Sequence, residues 1–359
     1  MILLDSHCDT PSQIVRLRDM TLRGRLSHID FPKLKEGGVD ACFFALYTPQ
    51  AKPFEEARPY VQKMIDMTLG AVSSYPGVEM AGSVEEIRSN AANGITSIVF
   101  GLENGMPIGN SIANLDDYYR QGVRYVTLTH NGDNQIADSA SQGDTWNGLS
   151  PFGREVIDRM NDLGMIVDTA HASDKTFYDA LEASRTPVVS THSCCRALCR
   201  HRRNMDDGML RALAGKGGVI QINFYPTFLS DDFARRIAAC GLEDEAEKTE
   251  MHFRADPSDK ARREALDRVT EKLLAFPRPS FKDVADHIDH AVNVAGIESV
   301  GIGSDYDGIS VPPEGLEDVS KIGNLLDELH RRGYSDDAIE KIAGENFLRV
   351  FSDVESFRK

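Results

Sequence analysis

Positive charge is scarce in this 359-residue sequence, which has 40 Lys and Arg against 56 Asp and Glu and a formal net charge of -16. A surface of this kind repels nucleic-acid phosphates and anionic lipid headgroups, because both bind clustered Lys and Arg. The composition therefore argues against nucleic-acid and membrane partners. We expect the partner to be a small molecule.

Cysteines and long hydrophobic runs are also few. The six cysteines lack the spacing of a small disulfide scaffold, and no apolar run reaches the length that spans a bilayer. The first apolar run starts at Met1, without the charged segment that opens a signal peptide. We expect reduced thiols in a cytoplasmic protein with no membrane attachment, although a chain from which a leader had been removed would look the same.

The chain alternates short β-rich apolar runs with longer segments of helical periodicity. Eight strands are predicted, at 2–5, 39–47, 97–103, 123–129, 165–171, 187–192, 218–224 and 299–305. Helices are predicted between them at 54–74, 115–121, 153–163, 175–183, 206–214 and 281–295, and after the last strand at 319–331 and 336–351. Because no hairpin signature interrupts the alternation, we predict an α/β fold, a (β/α)8 TIM-type barrel, in one domain. A doubly wound sheet is the alternative.

One connection is too long for a simple strand-to-helix turn. Residues 229–279 are dense in charged side chains, so we predict extra surface helices there, with a solvated face favoured over any binding role.

Polar side chains stand repeatedly where predicted strands end, which is where a barrel carries its active site. His7 and Asp9 end the first strand, and they share a face because side chains two apart on a strand point the same way, whereas Cys8 points away. Glu103 ends the third strand and Asp305 the eighth, and the fourth, fifth and sixth strands lead to His130, His171 and His192. Each alone could be an ordinary hydrogen-bonded residue, but their coincidence at six strand ends predicts a functional cluster.

These imidazole and carboxylate groups suit zinc or a similar divalent ion, and there are too many for one tetrahedral site. Two ions are therefore implied. Because neighbouring cations repel, they need a shared anion, which the carboxylate of Glu103 and a bridging hydroxide can supply. The reaction class that this arrangement predicts is hydrolysis.

The chain resembles the membrane dipeptidase (renal dipeptidase) family of binuclear zinc peptidases, within the amidohydrolase-type barrels. Seven short motifs carry the resemblance and occur in family order along nearly the whole chain: Asp5-Ser6-His7-Cys8-Asp9, Gly101-Leu102-Glu103-Asn104-Gly105, Leu128-Thr129-His130-Asn131, Asp168-Thr169-Ala170-His171-Ala172-Ser173, Ser190-Thr191-His192-Ser193, Arg202-Arg203-Asn204-Met205-Asp206-Asp207 and Gly303-Ser304-Asp305-Tyr306-Asp307-Gly308.

The resemblance implies a ligand set for two zinc ions. His7, Asp9 and Glu103 would hold one ion, and Glu103, His171 and His192 the other, so that Glu103 and a water or hydroxide bridge them.

The resemblance also implies roles for residues around the metals. His130 would contact the scissile carbonyl oxygen, and Asp305 would act as general base and acid. Arg203 would bind the substrate's terminal carboxylate with its planar pair of donors, while the adjacent Arg202 leaves a one-residue ambiguity. Tyr225 would correspond to a substrate-lining tyrosine of the family.

The expected activity is zinc-dependent hydrolysis of dipeptides, with L,D-dipeptides among them because the family tolerates a D-residue at the carboxyl end. Two alternatives stay open: an amidohydrolase acting on N-acyl-D-amino acids or β-lactams at the same metals, and an inactive relative that only binds. A homodimer is a further expectation from the resemblance.

Other histidines and cysteines resemble metal ligands, but we interpret them as residues that stabilise the fold. His287 and His290 lie on the helix before the last strand, and Cys194, Cys195 and Cys199 lack a metal-binding spacing. Asp307 could bind substrate or orient its turn.

Overall fold

The computed structural model describes residues 1–50 and 52–359. It confirms the predicted α/β barrel, because eight parallel strands lie side by side in the order β1-β2-β4-β5-β6-β7-β8-β9, which a doubly wound sheet would not give. Their bounds are β1 Leu4–Cys8, β2 Ala41–Tyr47, β4 Thr96–Glu103, β5 Val123–Thr127, β6 Ile166–Asp168, β7 Val188–Ser193, β8 Val219–Ile222 and β9 Val300–Ile302. One additional strand of the described chain, β3 at Val78–Met80, was not predicted; it lies outside this order and pairs with β4.

The two ends of the sheet meet just beyond β9 and β1. The backbone N–H of Asp305 donates to the carbonyl of His7 at 3.0 Å, and the N–H of Asp9 donates to the carbonyl of Tyr306 at 2.8 Å. These bonds nearly close the barrel, and they also bring the residues that follow β1 and β9 to the same part of its rim.

Alternation along the strands separates an inner from an outer layer. On β4, Ile98, Phe100 and Leu102 pack in the outer core between strands and helices, whereas Val99 packs in the inner core. Because side chains two apart share a face, Glu103 continues the inner row. Cys8 belongs to the outer core, as predicted.

The described part of the chain has sixteen α-helices beside the strands: α1 Thr10–Ile14, α2 Phe31–Glu36, α3 Phe54–Ser73, α4 Val84–Ala92, α5 Ile112–Arg120, α6 Pro151–Leu163, α7 Asp174–Ala183, α8 Asp207–Gly215, α9 Pro226–Leu229, α10 Asp231–Cys240, α11 Leu242–Ala255, α12 Lys260–Ala275, α13 Phe281–Ala295, α14 Gly323–Arg331, α15 Asp336–Glu340 and α16 Asn346–Ser356. Short 3-10 helices occur at Met106–Ile108, Ile297–Ser299 and Val319–Lys321, and a π-helical turn at Lys341–Glu345.

Several helices begin at a serine that satisfies a free backbone N–H. The side chains of Ser83, Ser150 and Ser173 each accept a hydrogen bond from the backbone N–H of the residue three positions later. Ser280 forms a reciprocal capping box with Asp283. These caps fix where a helix starts, and hence the length of the loop that joins it to the preceding strand.

The end of the barrel opposite the polar residues is filled by aromatic side chains. Phe347 and Phe351 of α16 pack against Phe43 of β2, with ring centroids 5.0 and 6.0 Å apart. This plug keeps water out of the barrel from that end. Chemistry is therefore confined to the other end.

Helices α10, α11 and α12 occupy most of the long connection at 229–279. They have a small hydrophobic core of their own, which includes Phe233, Ile237 and Leu273. Within the described residues, no helix combines the length and the apolar character that crossing a membrane requires.

Candidate active site

Glu103 is the centre of the cluster at the carboxyl end of the barrel. It ends β4 with a side chain that is almost fully buried. Its Oε1 lies 3.3 Å from Nε2 of His171 and 3.7 Å from Nε2 of both His130 and His192, and its Oε2 lies 3.7 Å from Nε2 of His7. The four predicted histidines thus converge on one carboxylate.

His7 is oriented by a residue that the sequence analysis did not identify. Its Nδ1 lies 2.8 Å from the hydroxyl of Tyr125 on β5, while its Nε2 is buried and has no hydrogen-bond partner among the described residues. Tyr125 crosses the barrel interior over Gly101, where a Cβ would lie 2.0 Å from the tyrosine Cζ. Glycine at this position therefore makes room for the ring that reaches His7.

His192, like His7, is oriented through a hydrogen bond at Nδ1. Its Nδ1 lies 2.9 Å from Oγ1 of Thr191, and that hydroxyl donates to the buried carboxylate of Asp168 at 2.7 Å. The threonine oxygen therefore accepts Nδ1–H and leaves a lone pair on Nε2, which is buried without a partner in the described part of the chain.

His171 lies in a turn beyond β6 rather than on the predicted strand. Its φ of +65° is unusual for a side chain larger than glycine, and its Nδ1 lies 3.1 Å from Oδ1 of Asn131. In this left-handed conformation the imidazole, three residues beyond the end of β6, faces Glu103.

Three of the four imidazoles around Glu103 favour the neutral form, as metal ligands must. Burial lowers the pKa of the fourth, that of His7, but Glu103 and Asp9 outweigh burial and raise it well above its usual value. Burial, and then the positive charge of Arg203, lowers the pKa of His130 to about 3 and the pKa of His171 well below its usual value. Burial, then the charge of His7, does the same to the pKa of His192.

Two further carboxylates complete the cluster. Burial, together with a neighbouring carboxylate, raises the pKa of Asp9 and of Asp305 to about 7. The side-chain amide of Asn223 donates to Oδ2 of Asp305 at 2.9 Å. A Cβ at Gly308 would lie 2.1 Å from the Asp9 carboxylate and 2.5 Å from that of Asp305, so only glycine fits beside both.

Three overlapping groups of these side chains have donor atoms close enough together to hold a metal ion: His7, Glu103 and His192; Glu103, His130 and His171; and His7, Asp9 and Asp305. Nitrogen and oxygen donors in this number fit divalent ions of the zinc type. The buried Nε2 atoms without partners and the crowded carboxylates are each what a bound cation would satisfy. The residues present therefore fit a metal centre.

Arg203, not Arg202, faces the cluster. The Arg203 side chain is buried, donates to the carbonyl of His192 at 3.3 Å, and forms no ion pair with a carboxylate among the described residues. Arg202 is exposed, and its guanidinium donates to the carbonyl of Ser141 at 3.4 Å. A buried guanidinium with a free face is suited to bind an anionic group of a ligand.

Tyr225 lies apart from the metal-binding group. Its hydroxyl donates to Glu243 of α11 at 2.5 Å, and its ring packs edge-on against Phe228, over which the Arg203 guanidinium lies 5.5 Å from the centroid. Tyr225 thus belongs to the wall beside Arg203. Helix α11 reaches the barrel mouth through this contact, so the charged insertion is not only a solvated surface.

The residues given a structural interpretation form internal bonds. His287 accepts from the N–H of Cys195 at 3.0 Å and lies 3.2 Å from the carbonyl of Leu229, and His290 pairs with Asp207. Asp307 pairs with Arg18 at 2.6 Å and accepts from Thr10. All six cysteines are free thiols.

Comparisons with known proteins agree with this geometry. The family model described as membrane dipeptidase (Peptidase family M19) matches residues 1–359. An uncharacterized dipeptidase of Schizosaccharomyces pombe is 34% identical over 98% of this chain and 80% of its own length. Dipeptidase aclJ of Aspergillus oryzae is 34% identical over 91% of this chain and 70% of its own length.

Solved structures share the fold across the whole chain. The probable dipeptidase PvdM from Pseudomonas aeruginosa superposes with a TM-score of 0.84 at 29% identity, covering 99% of this chain and 96% of that chain. A metallo peptidase from Rhodobacter sphaeroides has the same fold, with a TM-score of 0.81 at 23% identity and 99% of each chain covered. The chain therefore belongs to the membrane dipeptidase family, Peptidase family M19, and is a metallo-dipeptidase.

Proposed function

We propose that this metallo-dipeptidase uses two zinc ions and accepts L,D-dipeptides. His7, Asp9 and Glu103 would hold one ion, and Glu103, His171 and His192 the other. The observation that carries this proposal is the convergence of histidine Nε2 atoms on the two oxygens of Glu103, at 3.3 to 3.7 Å. When bound, the ions would polarise the peptide carbonyl and make water acidic enough to attack it near neutral pH.

The acid-base role falls to Asp305. Its carboxylate faces His7 and Asp9, and burial gives it a pKa of about 7, which suits a group that both accepts and donates a proton. We propose that Asp305 takes a proton from the attacking water and passes it to the leaving amine. Asn223 keeps the carboxylate aimed by donating to Oδ2 at 2.9 Å.

The substrate would be held from two sides. Neutral His130 can donate a hydrogen bond to the oxygen of the scissile carbonyl, and the unpaired guanidinium of Arg203 can bind the terminal carboxylate. Tyr225 would line the carboxylate side. The metallo peptidase from Rhodobacter sphaeroides was solved with a phosphinate mimic of the dipeptide L-Ala-D-Ala, which supports a substrate of this class.

Steady-state hydrolysis of L-Ala-D-Ala by zinc-loaded protein, with N-acetyl-D-Ala alongside, tests the activity. We expect turnover of the dipeptide and little of the acylated compound. Turnover of only N-acetyl-D-Ala would replace the dipeptidase proposal by an aminoacylase, and turnover of neither would favour a binding protein. Metal analysis should find two equivalents of zinc.

Asp305→Asn separates proton transfer from metal binding. We expect the variant to keep its metal content and to lose roughly 100- to 10,000-fold in kcat, the usual contribution of a general acid-base group. Full activity in this variant would remove Asp305 from the proposed role.

The remaining proposals concern the protein's setting. We propose a reducing, cytoplasmic location, which the free cysteines support, five of them buried. A homodimer is proposed from the family resemblance alone. Light scattering on the protein as it elutes from a size-exclusion column measures its molar mass and checks this proposal.

A further inference from the structure

Three charged residues form a cluster at the mouth of the barrel that the proposed chemistry does not use. Glu250 of α11 accepts from Arg16 at 2.8 Å and from Arg254 at 2.7 Å. Arg16 follows α1 and is buried, whereas the Arg254 side chain is 39% exposed. One carboxylate between two guanidinium groups leaves one positive charge in excess, in a protein whose net charge is -16.

This cluster lies beside the catalytic centre. Helix α1 begins directly after Asp9, and burial together with the neighbouring Arg254 lowers the pKa of Arg16, while Asp9 opposes that shift. Tyr47, which is paired with Glu103 in the strand register, packs against His130 at a tilted angle, with ring centroids 4.7 Å apart. Burial, then Glu103 and Asp9, raises the pKa of Tyr47, and Arg254 opposes part of that rise.

Helix α11 is fixed over this side of the mouth at two points. Glu243 accepts from Tyr225, beyond β8, and Glu250 accepts from Arg16, beyond β1. The two glutamates are seven residues apart and therefore lie on one face of the helix. These contacts hold Arg254, one turn further along α11, at a defined place.

The cluster and Arg203 stand on opposite sides of the metal-binding group. Arg203 contacts the end of β7, and β7 lies directly across the eight-stranded ring from β2, which carries Tyr47. A dipeptide whose carboxylate was bound by Arg203 and whose peptide bond lay over Glu103 would direct its amino-terminal residue toward β1 and β2. That residue would meet the excess positive charge.

We propose that Arg16 and Arg254 form a specificity site for dipeptides whose amino-terminal residue has an acidic side chain, glutamate or aspartate. Arg254 supplies the accessible guanidinium, and Arg16 supplies positive charge from a less hydrated position. This inference rests on the proposed function, because it takes the substrate orientation from Arg203.

The test compares kcat/KM for L-Glu-D-Ala and L-Gln-D-Ala, which differ only in side-chain charge. We expect the glutamyl substrate to be preferred roughly tenfold or more, as for a charged hydrogen bond, and the ratio to shrink in about 0.5 M salt because screening weakens the attraction. A ratio near one, or a preference for glutamine, would overturn the proposal. Hydrolysis of L-Ala-D-Ala but of neither of these two dipeptides would also overturn the proposal, whereas hydrolysis of none of the three would overturn the proposed dipeptidase function.

Arg254→Gln assigns the preference to this site. The variant should bring the Glu-to-Gln ratio close to one, and because the ratio is taken within one preparation, it does not depend on the folded or metal-loaded fraction. Arg235→Gln, on exposed α10, is the matched control and should keep the wild-type ratio. An unchanged Glu-to-Gln ratio in Arg254→Gln would overturn the assignment of the preference to Arg254. If that variant fails to fold, the ratio in the wild type and its salt dependence still test the proposal.

Discussion

Replacing Tyr125 by Phe removes the hydroxyl that orients His7 and leaves the ring in place. With Nε2 of His7 bound to a metal ion, Nδ1 would carry the proton and donate to the tyrosine oxygen, which lies 2.8 Å away. Loss of a partner that orients a metal ligand costs roughly 10- to 100-fold in metal affinity, which corresponds to about 1.4–2.7 kcal/mol. We therefore expect weakened binding at the site that contains His7.

The stability of the metal-free protein should change as well. The Tyr125→Phe substitution would leave the buried Nδ1–H of His7 without a partner, at a cost of about 1–3 kcal/mol in the free energy of unfolding. Tyr306→Phe is the matched control, because it also deletes one buried hydroxyl, which donates to the carbonyl of Leu316 at 2.8 Å. The control should lose stability but keep metal affinity.

The assay is zinc content at buffered free zinc, together with urea unfolding of the metal-free proteins. Tyr125→Phe should lose one of two zinc equivalents at a free zinc concentration at which Tyr306→Phe and the wild type keep both. Two equivalents bound with wild-type affinity would refute the role of Tyr125.

Three other perturbations follow from the structure. Gly101→Ala puts a Cβ 2.0 Å from the Tyr125 ring. Urea unfolding should therefore show a free energy of unfolding lower by about 1–3 kcal/mol, and the zinc content should fall. Wild-type values of both would contradict the proposed close packing. Arg203→Ala should lower kcat/KM for L-Ala-D-Ala roughly 10- to 150-fold, as for a charged hydrogen bond. Arg202→Ala, which changes an exposed side chain, should have little effect on kcat/KM. A larger loss in Arg202→Ala than in Arg203→Ala would move the carboxylate site to Arg202. Burial lowers the pKa of His287 from 6.5 to about 4, so the unfolded chain takes up the proton first, and the metal-free wild type should lose up to about 3 kcal/mol of stability as the pH falls from 6.5 to 4. His287→Gln should show a smaller loss over that range, and equal slopes would show that His287 does not carry it.

The sequence predicted the barrel and the approximate rim positions because both depend on short-range pattern. Strands and helices alternate within a few tens of residues, and a polar side chain that ends an apolar run lies at the carboxyl end of its strand whatever the rest of the chain does. The missed strand, Val78–Met80, has only three residues and one pairing neighbour, so its pattern is too short to read.

The partners of the candidate ligands could not be read in the same way. Tyr125 and His7 are 118 residues apart, and Asn223 and Asp305 are 82 apart. A tyrosine on β5 looks like any core aromatic until the barrel closes. One signal was present: Gly101, inside an otherwise apolar strand, indicates close approach by another group, although it does not identify Tyr125.

The sequence by itself determined which chemical groups this protein has and roughly where along each strand they stand. Tertiary structure decided how they combine: the left-handed turn that aims His171 at Glu103, the choice of Arg203 over Arg202, and the placement of α11 over the mouth. The physical reason is that the period of two or 3.6 residues fixes which way a side chain points from its own element. Which distant element it meets depends on the closing of the barrel.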